Sequence, residues 1–90
     1  MKKTVISVIG KDGVGIIAKV SAKCSEYHVN ILDITQSVLQ DMFVMVMLVD
    51  ITDIHVDFDA LTKKMGALGE EIGMAIHVMH EDIFNSMHRI

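Results

Sequence analysis

A chain of 90 residues that is 51% apolar and 22% charged holds enough material for one domain and no second, and is too apolar to stay disordered. A fold of this size buries about two-thirds or less of its chain's surface, so association between subunits is expected. The net charge of -4 and the scatter of Lys2, Lys3, Lys11, Lys19, Lys23, Lys63 and Lys64 offer no basic stripe for nucleic acid, and a lone cysteine, Cys24, excludes an internal disulfide or a CxxC pair.

The opening MKKTVISVIG imitates a signal peptide, but Lys11 and Asp12 cut off its apolar part and no small-residue cleavage pattern follows. A cytoplasmic protein is expected, with Thr4–Ile9 as a short β-branched first strand. Ile17, Val20, Cys24 and Tyr27 then share one helical face while Lys19, Lys23 and Glu26 lie elsewhere, which predicts a helix over about 14–28. From Asn30 the period becomes two: Leu32, Ile34 and Val38 alternate with Asp33, Thr35 and Ser37, as in an edge strand with one wetter side. Gln40 and Asp41 supply a hairpin, and the following MFVMVMLV is apolar at every position. That run is far shorter than the ~20 residues that span a bilayer, so a strand with both faces covered is expected rather than a membrane segment. Asp57 can cap a second helix carrying Phe58, Leu61, Met65, Leu68 and Ile72 on one face and ending near Gly73. Residues 74–79 form a fourth strand, and EDIFNSMHRI a short terminal helix with Ile83, Phe84 and Met87 as its apolar side.

This order predicts an α+β, ferredoxin-like βαββαβ sandwich over residues 1–90: an antiparallel four-stranded sheet, its first and third strands central, with two helices on one face and a short C-terminal helix. The other face raises a difficulty. Either Phe43, Met45 and Met47 or Met42, Val44, Val46 and Leu48 point away from the helices, and exposing such side chains forgoes ~1.5–3 kcal/mol each. A homodimer or higher homo-oligomer, with sheets stacked or joined, is the expected remedy.

Within this frame GKDGVG (Gly10–Gly15) is the segment with the most backbone freedom. Its glycine spacing fits neither GxGxxG nor a Walker A loop. It leads into the first helix, where free N–H groups and the helix dipole favour a carboxylate. Asp12 could take an ammonium group or could cap the helix, and Gly13 and Gly15 could serve only a tight turn. Metal binding has weak support: His77 and His80 fall on opposite faces of a strand, and a set of His80, Glu81 and His88 competes with ordinary surface positions. Met42, Met45 and Met47 suit core filling, as does Cys24. No serine, histidine and acid have a spacing that suggests a nucleophile and its base, so no catalytic residue, metal or cofactor is assigned.

Gly10, Asp12, Gly15, Ile16 and Ala18 in GKDGVGIIA, with Asn30, Ile31 and Asp33 in NILDI, resemble an ACT domain along the whole chain. The ending HEDIFNSMHRI together with QSVL is similar to a family of small stand-alone bacterial and archaeal ACT proteins related to the first ACT repeat of the glycine-cleavage repressor. The resemblance implies a non-catalytic regulatory dimer that binds a small amino acid or related metabolite. By position it places Asp12, Gly13, Val14, Gly15 and Ile16 on one wall and Asn30, Ile31 and Asp33 on the other, often from the neighbouring subunit. Gly13-Val14 departs from the bulkier residue and proline found in many relatives. The alternative is an interaction module that docks to an enzyme or regulator without a small ligand.

Overall fold

The computed structural model describes residues 2–11 and 13–87. In chain order the elements are β1 (Lys3–Gly10), α1 (Ile16–Glu26), β2 (Asn30–Leu39), β3 (Met42–Asp50), α2 (Phe58–Ile72), β4 (Ala75–His80) and α3 (Glu81–Met87). The strands make one antiparallel sheet in the order β2-β3-β1-β4. This is the expected ferredoxin-like plan, with β1 and β3 central and β2 at an edge.

Alternation along the strands decides what is buried. Phe43, Met45, Met47 and Val49 of β3 are buried with Ile6 and Val8 of β1 beneath Ile16, Val20 and Cys24 of α1 and Leu61, Met65 and Leu68 of α2. Met42, Val44, Val46 and Leu48 are the half-buried set on the opposite face. α2 forms where a local stop and start agree with its apolar stripe. The Asp57 side chain accepts from the Ala60 N–H at 2.7 Å, and Gly73, at φ 73°, closes the last turn. Between the helices, the Lys64 ammonium lies 5.5 Å from the centroid of the Tyr27 ring.

Three expectations are corrected. α1 starts at Ile16 rather than Val14, because Gly15 takes φ 74°, a left-handed conformation that ends the preceding turn. Its buried stripe accordingly begins at Ile16, and Ile17 is 36% exposed. In β2 the pairing register shifts between Ile31 and Asp33, so Leu32 is bulged out of the alternation. Ile31 and Ile34 therefore both point to the helices, while Asp33 and Thr35 share the far face with Leu48 and Val46. On α3, Phe84 is half-buried but Ile83 is exposed, so Ile83 does not join its apolar side; residues 88–90 of the predicted helix lie outside the described residues.

α3 also answers part of the difficulty posed by the far face. It turns back over the end of the sheet where β1 begins, and Val5 is only 3% exposed there. At the opposite end Ile9 and Leu39 stay exposed and Met42 and Val44 half-buried.

Candidate functional site

β1 ends at Gly10, opposite Phe43, and residues 11–15 lead into α1. Gly13 lies flat against the Phe43 ring: a Cβ there would come within 2.6–2.9 Å of three ring carbons. A side chain at 13 would push the loop off the sheet, and one at 15 would strain the left-handed backbone. These two glycines thus shape a tight turn, whatever else they do. The Ile16 N–H donates to the Gly13 carbonyl at 3.2 Å and the Lys19 N–H to the Gly15 carbonyl at 3.1 Å. The loop thus ends at the N-terminus of α1, the positive end of the helix dipole, where backbone N–H groups point along the axis out of the helix. Val14, at 84% exposure, is the outermost residue of the turn. Asp12 lies outside the described residues.

The second candidate wall is elsewhere in the protomer. Asn30 opens β2 opposite Asp50, which in turn faces Lys3 at the start of β1. Loop 11–15 follows the other end of β1, and at ~3.3 Å per residue the seven steps between Lys3 and Gly10 amount to ~23 Å. One chain does not bring the two walls together. Asn30 is held by a firm corner. The His28 and His55 rings stack with centroids 3.7 Å apart, and the His55 N–H donates to the Tyr27 carbonyl at 3.0 Å. Asn30 borders a shallow hollow with Ser25, His28 and Asp53. Ile31 is half-buried toward the helices, whereas Asp33 lies on the far face, its Oδ1 accepting the Ile34 N–H at 2.9 Å.

Next to this end, Asp50 Oδ1 accepts from the Thr52 hydroxyl at 2.6 Å, the Thr52 N–H at 2.9 Å and the Lys2 N–H at 3.3 Å. Those donors, the Thr52 hydroxyl foremost, hold its carboxyl below the usual carboxylate range. His80 stacks on Phe58 with centroids 4.4 Å apart, and His77 lies on the opposite face of β4. Among the described residues no three His, Cys, Asp or Glu side chains converge as a metal site; His88 lies outside them. Two features escaped the sequence reading, the His28–His55 stack and a cleft beneath α3. Neither leaves a local signal, since each joins segments distant in the chain.

The sequence profile of the ACT domain matches residues 2–79. The chain belongs to the ACT domain family. ACT domains are regulatory, ligand-binding modules. A UPF0237 protein of Methanocaldococcus jannaschii is 49% identical over 90 residues, covering 100% of both chains. The structure of an ACT domain protein from Streptococcus pneumoniae superposes with a TM-score of 0.82 at 38% identity, covering 92% of this chain and 93% of that one. A glycine cleavage system transcriptional repressor-like chain matches with a TM-score of 0.68 at 20% identity, over 86% of this chain and 44% of its own length, and speaks for the fold alone. No helix of this ACT domain among the described residues is long and apolar enough to cross a membrane.

Proposed function

We propose that this ACT domain is a non-catalytic regulatory module that binds a small amino acid, or a related metabolite, across the interface of a homodimer. The observation that carries this reading is the separation of the two walls to opposite ends of one sheet, with β2 between them as an exposed edge. An edge strand presents unpaired N–H and C=O groups that a second copy can take up. Antiparallel pairing about a two-fold axis near Thr35 would set the neighbour's Asn30 and Ile31 beside Val38. Val38 pairs with Phe43, the ring against which Gly13 rests. Parity supports this register: Ile31 and Val38 both point to the helix side, aligned with Val49 and Phe43.

In such a groove the ligand carboxylate would meet N–H groups at the start of α1, beside Gly13, Val14, Gly15 and Ile16. The Asn30 amide would both donate and accept, and the ammonium group would be taken by Asp12, since Asp33 is turned to the far face. Three or four hydrogen bonds to charged groups, at ~1.5–3 kcal/mol each, are enough for micromolar affinity after ordering costs. Because the groove spans subunits, occupancy would stabilise the dimer or alter its geometry, and a bound regulator or enzyme could sense either.

A thermal-shift screen against the twenty amino acids tests the reading. A ligand at ~100 times its dissociation constant adds ~2.7 kcal/mol, so at least one should raise the melting temperature by several degrees. Asn30→Ala should remove that shift while the dimer persists. The second reading, a docking module without a small ligand, draws on the open sheet end formed by Ile9, Leu39, Met42 and Val44. It gains if no amino acid produces a shift.

A further inference from the structure

Beneath α3, on the sheet face turned away from α1 and α2, lies a cleft of about 230 Å³. Its floor is apolar, made by Val5, Val46 and Leu48, and Phe84 of α3 forms one wall. At ~30 Å³ per water-sized group the cleft has room for roughly seven or eight such groups. The rim is polar: Asp33 and Thr35 rise from β2, and Glu81 and Asn85 hang from α3. Asp33 and Thr35 share the far face by the alternation of β2, and the bulge before Asp33 leaves Ile31 on the other side.

Among the described residues the lining holds two carboxylates and no cation. Lys2 and Lys3 border a neighbouring hollow on the other side of Glu81, but among the described residues the ion pair within reach is Lys23 with Glu26, far from the cleft. One oxygen of Asp33 is engaged by the Ile34 N–H, which leaves the other available. An apolar floor with a few polar groups at its rim is the usual form of a small-molecule site, and here the sign of the rim selects the ligand.

We propose that this cleft binds a primary amine with a short apolar body. The ammonium group sits between Asp33 and Glu81, and the hydrocarbon or ring rests on Val5, Val46 and Leu48 beside Phe84. Free amino acids are poorly suited, because their carboxylate would enter a rim that already carries two negative charges. The site is therefore separate from the groove proposed at the dimer edge, and it does not depend on a second subunit.

Titration of the full chain, followed by two-dimensional amide NMR, tests this with 2-phenylethylamine, 2-phenylethanol and phenylalanine as probes. The amine should give saturable shifts at Thr35, Val46, Leu48 and Asn85, and the alcohol and the amino acid should bind at least about fivefold more weakly, the worth of one exposed ion pair. Asp33→Asn, which keeps the acceptor for the Ile34 N–H, should weaken the amine by a similar factor. Asn85→Lys, which places a cation at the rim, should abolish binding, and the spectra report directly whether each variant is folded. Equal binding of the alcohol, an unchanged affinity in folded Asp33→Asn, or no saturable shift at these amides would overturn the proposal. The amino-acid screen reports on the dimer-edge groove whatever this titration gives.

Discussion

Cys24 has no exposed surface on the α1 stripe, and burial pushes its thiol up to about 11. An unfolded cysteine loses its proton near pH 8.5–9. Between about pH 9 and 11 the unfolded chain has thus released a proton that the native chain retains, so stability must fall as pH rises through that window. The expected loss is on the order of 2–3 kcal/mol. Urea unfolding of wild type and Cys24→Ala at pH 8 and pH 11 checks this: the variant should lack that part of the slope, although it starts less stable. At this scale the sequence was legible in part. The glycines of GKDGVG marked the right loop, but that Gly13 is required by the Phe43 ring, 30 positions away, is a tertiary fact with no local trace.

The secondary-structure elements were legible where local chemistry and periodicity agree. α2 is the plain case, since Asp57, the stripe from Phe58 to Ile72 and Gly73 all lie within one segment. Asp57→Ala should cost about 1 kcal/mol by leaving the Ala60 N–H without its acceptor, measurable as a lowered urea midpoint with an unchanged slope. α1 was displaced by two residues because Ile16 and Ile17 both continue a helical stripe, and only the Gly15 backbone decides between them. The β2 bulge was not legible at all. Its position follows from the register with β3: Asp33, Thr35 and Ser37 lie opposite Ile34 and Val38 as the period of two predicts, but Leu32 drops out and Ile31 joins the helix face. Ile31 and Asp33, assigned to one wall at the start of β2, therefore look to opposite faces of the sheet.

At the scale of the whole molecule, element order was sufficient for the topology, because right-handed, unknotted connections leave few sheets that this order can make. The route of α3 across the far face was not predictable, since a short amphipathic helix says only that it needs an apolar surface. The proposed edge pairing makes a specific demand at Thr35, the residue that would meet its own copy on the two-fold axis. Light scattering at micromolar concentration should find a dimer for wild type. Thr35→Lys, which sets like charges opposite each other on an exposed strand, should shift it toward monomer with its circular dichroism unchanged. A wild-type monomer would remove the basis of the ligand groove.

The distance between Gly10 and Asn30 has one more implication. Pairing two copies through β2 makes two equivalent grooves, and each draws its glycine loop from one chain and its asparagine from the other. A mixed assembly of one chain damaged at the loop and one damaged at Asn30 would collect both lesions in a single groove and leave the other whole. Two defective alleles expressed together would then complement each other.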